Sequence, residues 1–323
     1  MNLPAEQIDT ANDFGHDVLY GLSQPQKSIP CKWFYDEAGS LLFEAITRTA
    51  EYYPTRVETR LLAEVVPALA RIKPGIQCVI EPGSGASVKT RALLQGLPLL
   101  QTYVPMDISA DFLHEVSLQL QRDFPALAIH PLVGDFSDAG FASAINTADL
   151  PIDSERLVFF PGSTIGNFHP EAAARLLEQF HALAGGSGCL LIGVDTTQDE
   201  KRLLAAYNDA AGITAAFNQN LLKRANRELG ADFDVHSFSH EARFNPSEGR
   251  IEMHLVSTRK QSVQLAGKCF GFDAGETIYT ESCYKYRSAA FIAMAQACGW
   301  HLQQHWQDEQ ESAFTLFLLR SAR

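Results

Sequence analysis

The stretch CVIEPGSGASVKTR, Cys78 to Arg91, carries the residue types and spacing of a nucleotide site. Cys78, Val79 and Ile80 read as a short buried strand. Gly83 and Gly85 let the backbone turn tightly and approach a ligand closely. Ser87, Lys89 and Thr90 open a helix. A dinucleotide fingerprint wants glycine three residues after Gly85, and Val88 stands there instead, which disfavours an NAD-dependent oxidoreductase. Glu81, two residues ahead of the first glycine, suits a ligand with a cationic amino group, as S-adenosylmethionine has. Glycine pairs also occur in plain strand–helix turns, so this loop alone leaves both readings open.

Other strand ends extend the pattern. Asp107 lies about twenty residues beyond Gly85, where a carboxylate takes both ribose hydroxyls. Asp135 can accept from an adenine amino group, while the backbone N–H of Phe136 meets a ring nitrogen. A single strand-end aspartate is more often a cap, but several such groups in order argue for bound adenosine. The donor-binding set is therefore Glu81, Gly83, Gly85, Lys89, Asp107, Asp135 and Phe136. Methyl transfer from a sulfonium asks the protein to align donor and acceptor and to exclude water. The attacking amine must be neutral, and tyrosine hydroxyls and Asn167 can bind it without fixing a charge on it. A quaternary ammonium product is stabilised by aromatic walls, for which Tyr35, Tyr52, Phe168 and Tyr207 are candidates. A base methyltransferase would place Asn/Asp-Pro-Pro-aromatic after the fourth strand, where this chain reads FPGS. No nucleophile–histidine arrangement and no metal-spaced histidine pair stands out; no metal is expected. The ten histidines, His169 and His254 included, read as solvated or hydrogen-bonded.

The elements that must position these groups follow an α/β alternation. An amphipathic helix, 59–70, puts Leu61, Leu62, Val65, Val66 and Leu69 at helical spacing. Strands are expected at 76–81, 102–108, 128–133, 156–160 and 189–194, with helices at 87–95, 110–121 and 170–183 between them. Such units build a parallel sheet with right-handed crossovers. The pattern then breaks. Residues 197–229 read as one or two helices, 238–244 and 250–257 as a hairpin, and 277–287 as a further strand. A helix at 288–298 and strands near 301–306 and 314–319 resume the sheet. The fold class is a doubly wound, seven-stranded methyltransferase (Rossmann-like) sheet with a second α+β lobe. Residues 57–195 with 287–323 form the donor-binding domain, and 1–56 with 196–286 the substrate-binding lobe. Ahead of the sheet, KWFYDEAGS and EYYPTR read as tyrosine-rich loops, with Tyr52 and Tyr53 held extended by Pro54; a short helix over 40–47 follows the first.

The chain has 323 residues, with 46% hydrophobic and 10% aromatic content, enough for a proper core. No apolar run approaches the ~20 residues that span a membrane, and MNLPAEQIDTANDF lacks a secretion-signal core. A net charge of −12 without a basic cluster disfavours nucleic acid and anionic membrane as partners. Six scattered cysteines, none in a CxxC pair, argue against zinc and against a disulfide framework. A cytoplasmic monomer acting on a small molecule is expected.

EPGSGASVKTR, YVPMDIS, GDF, FFPGSTIGNF, AYNDAAGITAAFNQNLL, NRELGADFD, RIEMHL and YTESCYKYR together resemble the histidine Nα-methyltransferases of ergothioneine biosynthesis, and KWFYDEAGS and EYYPTR resemble their N-terminal segment. The resemblance runs almost the full length. It implies S-adenosylmethionine as methyl donor and three methylations of the histidine α-amine, giving hercynine. By position it implies Asn167 and Tyr207 on the substrate carboxylate and Tyr35 by the α-amine. It implies Tyr52 on the carboxylate or imidazole side and Gly162 as a backbone contact. Met253 and Glu281 would line the imidazole, with Glu281 accepting a ring N–H. The family has serine two residues after that glutamate, where this chain has Cys283. Ser282 would point to the other strand face, so Cys283 is the expected imidazole-side residue. Another α-amino acid or small amine is the alternative acceptor.

Overall fold

A computed structural model describes residues 10–85, 88–138, 154–308, 310–311 and 313–321. In chain order its elements begin with helix α1 (Thr10–Leu22), strand β1 (Lys27–Ser28), α2 (Glu37–Ile46), α3 (Tyr53–Ile72), β2 (Ile76–Pro82), α4 (Val88–Gly96), β3 (Thr102–Asp107), α5 (Ala110–Asp123), β4 (Ala128–Ile129), β5 (Leu132–Val133), β6 (Glu155–Phe160), α6 (Pro170–Ala184) and β7 (Cys189–Asp195). They continue with α7 (Glu200–Ala206), α8 (Ile213–Leu229), β8 (Phe238–Asn245), β9 (Arg250–Ser257), β10 (Gln261–Leu265), β11 (Lys268–Phe272), β12 (Thr277–Tyr284), α9 (Ser288–Ala297), β13 (Trp300–Gln307) and β14 (Phe314–Ser321). The chain divides into two compact units, Tyr53–Gln198 with Tyr284–Arg323, and Met1–Tyr52 with Asp199–Cys283.

The first of these, the sheet unit, has strand order β13-β14-β7-β6-β2-β3-β4, with β5 continuing along β3. Taking β4 and β5 as one interrupted edge strand gives seven strand positions. Strands β2, β3, β6 and β7 are mutually parallel, and β14 runs antiparallel between β7 and β13. Central strands buried on both faces read as near-continuous apolar runs, as in LVFF and CLLIGV. One face packs on α6 and α9, where Phe160, Phe180, Phe291 and Trp300 share a core. Because the parallel strands run one way, Pro82, Asp107, Val133, Phe160 and Asp195 end on the same edge of the sheet. That edge carries the candidate residues of this unit.

One expectation is corrected here. Tyr53 and Pro54 are not an extended loop but the first residues of α3. Proline suits a first helical turn, where its missing N–H has no intrahelical partner to lose. The apolar stripe of α3 therefore begins six residues earlier than the spacing from Thr59 indicates. The expected helix start at Ser87 lies outside the described residues.

The other unit has a mixed sheet, β1-β12-β9-β8, and a separate β10–β11 hairpin. That hairpin has no counterpart in the sequence reading. Its turn places Ala266 (φ 49°) and Gly267 (φ 74°) in the left-handed region. Alanine there hides the usual Asn-Gly or Asp-Gly hairpin signal. Helix α8 packs on α2, and Asp36 caps α2 by accepting from the Gly39 N–H at 2.7 Å.

Candidate active site

In the sheet unit, the loop after β2 is shaped by left-handed glycines at Gly83 (φ 68°) and Gly85 (φ 50°). A Cβ at Gly83 would lie 3.1 Å from the Phe136 ring, so glycine permits the first and third strand ends to touch. A Cβ at Gly85 would meet nothing within 4 Å among the described residues, leaving space above this turn. Asp107 ties the second strand end to the same loop: its carboxylate accepts from the Gly85 N–H at 3.1 Å and the Ser109 N–H at 3.0 Å. Burial raises the Asp107 carboxyl above its ordinary range, and the N–H groups of Ser109, Gly85 and Ile108 pull it back. Asp135 accepts from the Ser137 N–H at 2.9 Å, and the Phe136 ring packs edge-on to Phe160 and Phe168. The structure thus brings Gly83, Gly85, Asp107, Asp135 and Phe136 to one edge. A left-handed glycine turn held by a buried carboxylate at the neighbouring strand end is compatible with an adenosyl donor.

Glu81 sits one step deeper. It is 1% exposed and accepts from Thr90 Oγ1 at 2.7 and 2.8 Å and from the Tyr103 hydroxyl at 2.5 Å. Burial pushes its carboxyl up to about 7 against the pull of the Tyr103 and Thr90 bonds and of Lys89. Folding therefore favours the protonated form. The stability this contributes is present below the ordinary carboxylate range and lost as pH rises through about 7. Glu81→Gln should stabilise the fold at pH 8 by about 2 kcal/mol and change little at pH 5, while weakening donor binding at pH 8 more than at pH 5, where Glu81 is itself neutral. Thermal melts at the two pH values check the first effect, and titration with S-adenosylhomocysteine checks the second.

After β6 the backbone makes two left-handed steps, Gly162 (φ 82°) and Ser163 (φ 57°). A non-glycine residue there costs roughly 1–2 kcal/mol. The surroundings hold it: Ser163 Oγ accepts from the Asp195 N–H at 2.9 Å, and Ser163 O accepts from the Gly166 N–H at 2.8 Å. The short 3-10 turn Thr164–Asn167 that follows presents half-buried Asn167. The Gly162 N–H donates to the Glu58 carboxylate at 2.8 and 2.9 Å, and Lys89 Nζ pairs with the same carboxylate. Sequence reasoning missed Glu58, although its signal was present: position 58 falls on the apolar stripe of Leu61, Leu62 and Val65, where a lone acid needs partners. It also missed a fully buried cluster in which the Asp195 carboxylate takes the Lys285 ammonium at 2.9 Å and the Tyr53 hydroxyl at 2.5 Å.

In the other unit, the tyrosines form one aromatic chain. Tyr35 meets Phe43 at 5.6 Å between ring centroids, Phe43 meets Tyr52 at 6.2 Å, and Tyr52 meets Tyr207 at 6.3 Å. Phe217 backs it, stacking on Phe34 and edging Tyr35. Burial holds the Tyr35 hydroxyl well above its ordinary titration range, and Glu281, Cys31, Tyr52 and Cys283 add to that. Tyr35, Tyr52, Glu281 and Cys283 therefore share one neighbourhood, and the Tyr35 hydroxyl is neutral at physiological pH. Met253, 2% exposed, lies on β9 beside β12, and its carbonyl accepts from Thr280 Oγ1 at 3.0 Å. Ser282 is engaged elsewhere, paired with the Tyr279 hydroxyl. His240, not foreseen, holds Tyr207 in place: its Nε2 donates to the Tyr207 carbonyl at 2.8 Å while Nδ1 accepts from Asn218 Nδ2 at 2.9 Å. Burial lowers the His240 pKa, keeping the neutral ring this bonding needs. Among the described residues no cluster could hold a metal ion, and no helix is long and apolar enough to cross a membrane.

Residues 14–321 match a family described as histidine-specific methyltransferase, SAM-dependent. A histidine N-alpha-methyltransferase of Mycobacterium tuberculosis is 40% identical over 311 residues, covering 92% of this chain and 93% of the relative. Ergothioneine biosynthesis protein 1 of Neurospora crassa is 33% identical over 207 residues, covering 63% of this chain and 23% of that longer protein. Among solved structures, a putative methyltransferase from Thermobifida fusca superposes with a TM-score of 0.51 at 12% identity, covering 94% of this chain and 98% of that one. At that identity it speaks for the fold alone.

Proposed function

Because this chain belongs to the histidine-specific, S-adenosylmethionine-dependent methyltransferases, we propose that it trimethylates the α-amino group of L-histidine to hercynine, a step of ergothioneine biosynthesis. The sheet unit is the donor-binding domain. Glu81, Gly83, Gly85, Lys89, Asp107, Asp135 and Phe136 hold the donor, with Asp107 on the ribose and Asp135 and Phe136 on the adenine. When bound, S-adenosylmethionine supplies a sulfonium methyl that a neutral amine can attack in line.

The other residues act on the acceptor. Asn167, Tyr207 and the Gly162 backbone receive the amino-acid end. Met253, Glu281 and Cys283 receive the ring, and Tyr52 lies on the carboxylate or imidazole side. Tyr35 touches the amine. The observation that carries this reading is the match of residues 14–321 to the histidine-specific methyltransferases, and the grouping of the Tyr35 hydroxyl with Glu281, Tyr52 and Cys283 agrees with it. A neutral hydroxyl orients an amine lone pair without stabilising its protonated form, and the carboxylate nearby complements a ring N–H. The same reading makes the protein a cytoplasmic monomer with a small-molecule substrate.

Cys283, where the family resemblance has serine, favours a second reading in which another α-amino acid is methylated. Isothermal titration in the presence of S-adenosylhomocysteine separates the two. Heat on adding histidine and none with leucine or phenylalanine is expected; no heat with histidine would overturn the first reading.

A further inference from the structure

Glu58 is fully buried, yet it is a carboxylate on the apolar stripe of α3. Its niche is built for it. Gly193 on β7 has no side chain because a Cβ there would come within 2.1 Å of Glu58 Oε1. The Gly162 N–H donates to both carboxylate oxygens, at 2.8 and 2.9 Å. The Lys89 ammonium pairs with Oε2, and a Cβ on Gly162 would stand 3.8 Å from Lys89 Nζ. One carboxylate therefore joins the helix after the glycine loop to the strained turn after β6.

We propose that Glu58 is a positioning residue for methyl transfer, setting the Lys89 ammonium on the donor side and the Gly162 amide on the acceptor side with one group. This rests on the donor and acceptor roles assigned above. An ammonium has three N–H donors, and the Lys89 side chain is 18% exposed. Held on one side by Glu58, it keeps N–H groups for the carboxylate of the donor's amino-acid end. The Gly162 amide, pinned by Glu58, fixes the left-handed turn that leads to Asn167.

Glu58→Gln separates the two roles. Its amide oxygen can still accept from Gly162, but its charge is gone. The dissociation constant of S-adenosylhomocysteine should rise about tenfold, while the KM for histidine moves by less than about threefold. Glu58→Ala should raise both. On a Lys89→Met background, Glu58→Gln should add no further loss of donor affinity; a residue that merely supports the fold would weaken both variants independently. Unchanged donor affinity in Glu58→Gln, or losses that multiply in the double variant, would overturn the proposal. If the variants do not fold, hydrogen exchange of the Gly162 amide in the unmutated protein decides. Strong protection supports the proposal, and exchange at the rate of a free loop amide rejects it. Failure of the unmutated protein to bind S-adenosylhomocysteine would instead reject the functional reading, and this proposal with it.

Discussion

Replacing Asp107 with alanine is expected to raise the dissociation constant for S-adenosylhomocysteine by about a hundredfold or more. Two contributions combine. On the proposed reading two ribose hydroxyls lose a charged acceptor, and bonds to charged groups contribute about 1.5–3 kcal/mol each. The Gly85 N–H, which Asp107 holds at 3.1 Å, also loses its partner, so the glycine turn is no longer fixed to the second strand end. Asp107→Asn keeps one oxygen acceptor and should lose only about tenfold. Titration of all three proteins checks the order. Equal affinity in the alanine variant and the parent would remove Asp107 from the donor site.

That expectation begins in the sequence, and its reach shows which physics the sequence exposes. Strands β2, β3, β6 and β7 are legible because burial on both faces makes them near-continuous apolar runs, and the glycine pair marks a turn whose backbone is left-handed at both positions. The edge strand is less legible: AIHPLV pairs only as two short pieces around His130 and Pro131. The start of α3 is misread because proline disfavours helix for the residue before it yet suits a first turn, and only tertiary packing decides between these. The β10–β11 hairpin escapes because Ala266 occupies a position where glycine or asparagine announces a turn. Within the candidate site, aromatic and acidic residues in motifs can be singled out by chemistry. The groups that hold them cannot be found that way. Glu58, Asp195 with Lys285, and His240 act through partners distant in sequence, 104 residues apart for Glu58 and Gly162. Their only local trace is a polar residue in an apolar pattern.

The second large effect concerns the acceptor. Glu281→Ala should lower kcat/KM for histidine by about a hundredfold or more, and change any trace turnover of phenylalanine or leucine at high concentration by less than about threefold. A site built around a ring N–H loses its specific partner, whereas an apolar side chain had nothing to lose. The same change should move the Tyr35 hydroxyl back toward its ordinary titration range, because Glu281 is among the groups raising it. Steady-state rates with the three amino acids test the first part, and an ultraviolet titration of tyrosinate against Tyr35→Phe tests the second. Equal losses on all three substrates would mean that Glu281 does not read the ring.

The most direct measurement is product mass. Purified protein is incubated with S-adenosylmethionine and a panel of amino acids, and the products are resolved by mass spectrometry. The expected result is histidine gaining one, two and finally three methyl groups, with the trimethylated species accumulating and the other amino acids unchanged. Histidine returned unmodified while S-adenosylmethionine remains intact, or a different amino acid carrying the methyl groups, would contradict it.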